Sequence, residues 1–239
     1  MHAHDDPGER APSREFPSFA TNVPSHARVW NYWLGGRDHF AVDRAASRTI
    51  LGAMPSLQQI ARASRRFLAD AVTLLAREYG VRQFLDIGTG LPTADNTHEV
   101  AQRIAPESRI VYVDYDLSVL RHAQALLTST PEGRTDFILA DLRDPETILA
   151  EAARTLDFTR PVAIFLIAVL HFITDGDDPH EIVARLLKAV PPGSFLVVLH
   201  APSDIRAEEV AESRRRYNAA GTLNPVRALR WPGSSTAWR

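Results

Sequence analysis

Apolar residues recur along this chain with two different periods. Between residues 57 and 79 they fall at Ile60, Ala63, Phe67, Ala71, Leu74 and Leu75, the spacing of one helical face, and Gly80 supplies the stop. From Gln83 onward, short apolar runs alternate with helical stretches. Strands are predicted at 83–87, 109–114, 135–140, 162–167 and 194–200. Helices are predicted at 97–104, 118–127, after Pro145, at 179–189 and at 205–217. Proline suits the first helical position that Pro145 takes, because it has no amide hydrogen to leave unbonded. The run at 162–167 is apolar throughout, as a strand covered on both faces must be. Strand–helix alternation predicts an α/β fold: a mostly parallel central sheet with helices on both faces, Rossmann-like in plan.

The two ends read differently. Residues 1–25 carry Pro7, Pro12, Pro17 and Pro24 and predict a disordered or extended arm. Residues 26–80 predict a helical lobe. Val29, Trp30, Trp33 and Leu34 can share a helical face that Gly35 and Gly36 end, and 43–50 predicts a second helix before Pro55. Packing of the Trp30–Trp33 aromatics onto the domain is the expectation, with an aromatic lid as the alternative. The sheet domain occupies 81–217. Residues 218–239, with Gly221, Pro225, Trp231, Pro232 and Gly233, predict an irregular tail.

Composition narrows the function classes. The chain of 239 residues is long enough to bury a substantial core. A net charge of −2 without a basic run gives no electrostatic support for a nucleic-acid partner. The absence of cysteine removes disulfides, thiol catalysis and thiolate metal sites. No metal is expected. The longest apolar stretch, 161–170, is too short to span a bilayer, and the polar start is unlike a signal peptide, so a cytoplasmic protein without a membrane partner is the expectation. Oligomeric state is not encoded in any pattern here.

The chemistry gathers at the strand ends. Asp86-Ile-Gly88-Thr89-Gly90 reads as a strand end running into a tight glycine turn, where the backbone can approach a ligand closely. Ligands of open α/β sheets lie at this end of the strands. A dinucleotide fingerprint would place a third glycine where Thr93 stands, and no Tyr-x-x-x-Lys pair accompanies it, so a nicotinamide dehydrogenase is disfavoured. The carboxylate of Asp86 beside the turn suits a cationic ligand instead, and S-adenosylmethionine carries a sulfonium and an ammonium. Asp114 closes the second strand, where an acid can accept from ribose hydroxyls. Asp141 follows the third, placed to accept from an adenine amine while the Leu142 amide donates to the ring. Each aspartate alone is as easily a helix cap; the three together at successive strand ends favour nucleoside binding. Gly88→Val or Asp114→Ala is therefore expected to remove donor binding and leave the fold largely intact.

With those motifs in place the chain resembles the class I S-adenosylmethionine-dependent methyltransferases. More narrowly, it resembles an actinobacterial group of methyltransferase-like proteins once classed as a domain of unknown function. The resemblance rests on Ala27-Arg-Val-Trp-Asn-Tyr-Trp-Leu-Gly-Gly-Arg-Asp-His-Phe40, Phe84-Leu-Asp-Ile-Gly-Thr-Gly-Leu-Pro-Thr93, Val111-Tyr-Val-Asp-Tyr-Asp116, Asp141-Leu-Arg-Asp-Pro145 and Pro192-Gly-Ser-Phe-Leu-Val-Val-Leu-His200. It implies S-adenosyl-L-methionine as cofactor, held by Asp86, Gly88, Thr89, Gly90, Asp114, Tyr115, Asp141, Leu142 and Ala168. It also implies that residues 168–171 border the donor methyl and an acceptor, taken to be a small molecule. The class usually ends in an antiparallel strand pair. This sequence has no strand pattern after the fifth strand, so that pair is expected to be missing or altered.

Methyl transfer needs a base only when the acceptor must lose a proton. The candidates are His171, Tyr32 and His39, with His200 expected to pack internally. The competing reading is a non-catalytic sensor or scaffold that binds the same donor.

Overall fold

The computed structural model describes residues 21–126, 128–200 and 207–219. The N-terminal lobe contains α1 (His26–Trp33), α2 (Ala41–Leu51) and the long α3 (Leu57–Arg77). Then β1 (Gln83–Ile87), α4 (Thr97–Ile104), β2 (Arg109–Asp114), α5 (Leu117–Leu126), β3 (Arg134–Leu139), α6 (Pro145–Ala152), β4 (Ala163–Ile167), α7 (Pro179–Lys188), β5 (Phe195–Leu199) and α8 (Ala207–Ala219) follow. Pro145 and Pro179 open their helices behind Asp144 and Asp178, whose carboxylates accept the exposed amides of Thr147 and Glu181.

The five strands run parallel in the order β3-β2-β1-β4-β5. The order reverses direction on either side of β1, which opens a crevice at the carboxyl ends of β1, β2 and β4. Alternate side chains feed two cores. Leu85, Ile87, Val111, Val113, Ile164 and Leu166 meet Ile148, Ile182, Val183 and Leu186 on one face. Phe84, Ile110, Tyr112 and Phe165 meet Leu68, Val72, Leu75, Val100 and Ala101 on the other. Covered on both faces, β1 is buried at every position, which is why it carries no polar alternation.

The lobe has its own small core of Val29, Trp33, Ala46, Ile50 and Ala61. Trp33 is 1% exposed, and its indole N–H donates to Ser47 Oγ at 2.8 Å. The helical face expected for α1 is in fact divided: Val29 and Trp33 are buried in the lobe, while Trp30 and Leu34 face a cavity. A buried ion pair holds the lobe together. Asp43 accepts from Arg28 Nε (2.8 Å), Ser25 N (3.0 Å) and Phe40 N (2.7 Å).

Among the described residues the sheet has five strands and no antiparallel pair. Strands three to five and helices α3, α5 and α7 are shifted or trimmed by a residue or two from their expected limits, and α2 is longer than expected at both ends. Asn218 and Ala219 extend α8 rather than beginning an irregular tail. The rest of the expected tail, most of the N-terminal arm, Leu127 and the start of the helix expected at 205 lie outside the described residues. No helix among the described residues is long and apolar enough to cross a membrane.

Candidate functional site: a cavity at the carboxyl ends of the strands

The glycine turn is fastened to the neighbouring strand. Gly88 N donates to Val113 O at 2.8 Å, and Gly90 N to Asp114 Oδ2 at 2.9 Å. The other Asp114 oxygen accepts from Asp116 N at 2.9 Å, so one carboxylate ties the loop after β1 to the loop after β2. Both glycines take the left-handed backbone, with φ of 76° and 67°. Their surroundings differ. A β-carbon on Gly88 would lie 2.5 Å from Val169 Cγ2, whereas one on Gly90 would meet nothing within 4 Å. Gly88 is therefore required by the protein itself, and Gly90 leaves an open cradle in the cavity wall.

The cavity gives the centres of water-sized molecules about 140 Å³ and opens to solvent. Asp86, Gly88, Thr89, Gly90, Asp114, Tyr115, Asp141, Leu142 and Ala168 all line it. So do Ser25, His26, Trp30, Asn31 and Leu34 from the lobe, Ser64, Arg65 and Leu68 from α3, and Val169, Phe172 and Ile173 after β4. Ala168 has φ of 56°, a strained value for a residue with a side chain, and its amide donates to Leu199 O at 2.8 Å.

The acidic residues sit in different environments. Asp86 is 3% exposed and accepts from Thr97 Oγ1 at 2.6 Å; burial raises its pKa, against the pull of that hydrogen bond and of Arg65. Asp114 is partly open to the cavity but otherwise enclosed, and desolvation pushes its carboxyl up to about 6 despite the amides it accepts. Burial, followed by the charges of Asp114, Asp116 and Asp141, raises the Tyr115 phenol. Asp141 stands apart from its expected role in one respect. Both its oxygens accept from Arg143, at 2.8 and 3.0 Å from Nε, so it presents a paired rather than a bare carboxylate to a ligand.

The expected bases are not brought to the cavity. Tyr32, His39 and His171 are not among its lining residues. Tyr32 packs edge-on against His39, whose Nδ1 lies 3.1 Å from Arg44. Burial, with His200 and His26 nearby, pulls the His171 pKa down to about 3, so its ring is neutral at neutral pH. His200 lies 6.0 Å from His171, and neither of its ring nitrogens has a hydrogen-bond partner among the described residues.

The lobe is bolted to the sheet beside this site. Ser25 Oγ donates to Asp116 Oδ2 at 2.7 Å, and the other Asp116 oxygen accepts from Ser118 N and Oγ. Ser64, Arg65 and Leu68 were missed because the spacing pointed to the α3 face of Ile60, Phe67 and Leu74, which is exposed, whereas the face of Ser64, Leu68 and Val72 is the buried one. Trp30 and Asn31 lie inside the aromatic cluster already singled out, and both pack within the lobe as well as lining the cavity.

Residues 12–230 match the family described as S-adenosyl methyltransferase. The chain belongs to that family. It is a methyltransferase, and S-adenosylmethionine is its cofactor. A DUF574 family protein from Streptomyces avermitilis is 45% identical over 88% of this chain and 80% of its own, with a TM-score of 0.83. A protein from Thermobifida fusca, described as a candidate methyltransferase, is 37% identical over 87% of this chain and 77% of its own, with a TM-score of 0.77. A comparison with curated proteins finds no match. The residues present fit the cofactor: an open cradle at Gly90, acids for a cation and for hydroxyls, and an orphaned buried nitrogen on Arg65.

Proposed function

We propose that this methyltransferase acts on a small, largely apolar acceptor seated between α1 and the turn after β4. The donor is held by Asp86, Gly88, Thr89, Gly90, Asp114, Tyr115, Asp141, Leu142 and Ala168. The observation that carries this reading is the shared lining. Trp30, Leu34, Phe172 and Ile173 wall the same cavity that the strand-end acids enter from the other side. Apolar walls exclude water and charged groups alike, so a neutral acceptor loses least on entering.

The donor, when bound, supplies an electrophilic methyl on sulfur. The chain's own contribution is to align the acceptor with it, and alignment of two bound partners can supply much of the rate. The acids favour the positive charge of the donor by direct attraction. His26, on the acceptor side with its ring 4.2 Å from Phe172, is the imidazole that lines the cavity. It is placed to accept a proton where the acceptor carries one, whereas His171, Tyr32 and His39 do not line the cavity.

The test is release of S-adenosylhomocysteine across a panel of neutral aromatic, neutral aliphatic and charged metabolites. Turnover on neutral members and none on charged ones is expected. Turnover confined to charged or macromolecular acceptors would overturn the reading, and donor binding without turnover on any class would favour the sensor.

A further inference from the structure

The cavity is rich in acids, yet the donor also carries a carboxylate that acids repel. We propose that Arg65, on α3, is the residue that receives this α-carboxylate, an inference that rests on the donor cradle assigned above.

Two arginines line the cavity, Arg65 and Arg143, and Arg143 is paired with Asp141. Arg65 has no carboxylate partner among the described residues. Its NH2 group donates to Ala94 O (3.3 Å), Asp95 O (3.2 Å) and Asn96 Oδ1 (3.4 Å), all in the loop that follows the glycine turn. That anchors one edge of the guanidinium. The Nε is shut off from solvent and has no hydrogen-bond partner.

A buried guanidinium nitrogen without an acceptor is costly, and such groups are normally satisfied. Arginine presents its donors as a rigid fork that matches a carboxylate. Asp86 is near enough to feel its charge but is occupied by Thr97, and no ion pair joins the two. The pair therefore offers opposite charges on one wall: Asp86 for an ammonium and Arg65 for a carboxylate. That is the pattern of an amino-acid zwitterion, which the methionine part of the donor is.

The experiment compares two ligands by titration calorimetry on the full chain. S-adenosylhomocysteine carries the amino-acid group, and 5′-methylthioadenosine lacks it. Arg65→Ala removes the fork, while Arg65→Gln keeps an amide that can still donate to the loop carbonyls. Loss of a charge-assisted hydrogen bond predicts about tenfold to a hundredfold weaker binding of S-adenosylhomocysteine in both variants. Binding of methylthioadenosine should stay within about twofold of wild type, which also certifies the fold of each variant. Unchanged affinity for S-adenosylhomocysteine, or an equal loss for both ligands, would overturn the assignment to Arg65 alone. A wild-type chain that binds neither ligand would overturn the cradle as well.

Discussion

Gly90→Ala separates the cradle from the fold, because a matched control exists in the same chain. Gly90 and Gly80 have nearly the same backbone, with φ of 67° and 64°, and a β-carbon at either would meet nothing within 4 Å. Both substitutions carry only the strain of a left-handed alanine, about 1–2 kcal/mol. For a chain of this size that lowers the melting temperature by roughly 2–8 °C. Gly80 ends α3 away from the cavity, whereas Gly90 lines it. The added methyl at Gly90 must therefore overlap a ligand lying against the turn. At overpacking costs of about 1–3 kcal/mol, affinity falls by about fivefold to about 150-fold. Titration calorimetry with S-adenosylhomocysteine and melting curves of both variants make the measurement. Equal melting shifts with binding lost only in Gly90→Ala are expected. Wild-type affinity in Gly90→Ala, or an equal loss in Gly80→Ala, would refute the placement of the donor.

Gly88→Ala should destabilise more than Gly80→Ala, by about 1–3 kcal/mol of overpacking against Val169; a double-mutant cycle with Val169→Ala by urea unfolding should recover part of it, and no coupling would contradict the clash. Asp114 has a folded pKa of about 6 against 3.8, so the folded chain binds the extra proton; its contribution to stability is present below about pH 4 and lost as pH rises through 6. Relative to Asp114→Asn, wild type should lose at most about 3 kcal/mol between pH 4 and pH 7, less as water in the cavity screens the charge, as read from urea midpoints. Asp43→Ala leaves Arg28 buried without its carboxylate and should destabilise by about 3–5 kcal/mol, seen as an early loss of tryptophan near-ultraviolet circular dichroism; an unchanged midpoint would sink the account of the lobe.

The α/β plan was legible because the central strands β1, β2 and β4 are buried and read as largely apolar runs, although the edge strands β3 and β5 are only half-buried. For α3 the helical period was legible but the face was not, since Ile60, Phe67 and Leu74 are exposed while Leu68, Val72 and Leu75 are buried. The strand-end acids and the glycine turn were legible because sheet order fixes where such ends meet. What each glycine does was not. Gly88 and Gly90 look alike in sequence, but Val169, eighty-one residues away, decides that Gly88 cannot carry a side chain at all. Gly88→Val would thus disturb the fold itself, contrary to the expectation of a clean binding defect. Asp114→Ala is likewise not clean, since that carboxylate also fastens two loops. Arg143 was hidden as a partner of Asp141 because a side chain folding back two residues leaves no periodic trace. The lobe's contribution was hidden for the opposite reason: Ser25 meets Asp116 across ninety-one positions, a contact only the tertiary fold creates.

The division of the cavity wall between β-strand tips and α1 has a consequence for how selectivity diverges in this family. The tips serve a molecule common to every member, and they are braced by the sheet. Trp30 stands on the short helix α1 and Leu34 caps it, and both pack against the lobe core while lining the cavity. On the proposed acceptor seat, drift at those two positions would retune which compound is accepted while donor chemistry stays untouched. Transplanting residues 26–34 from a relative should therefore carry over its taste in substrates, much as exchanging a key's bit leaves the bow alone.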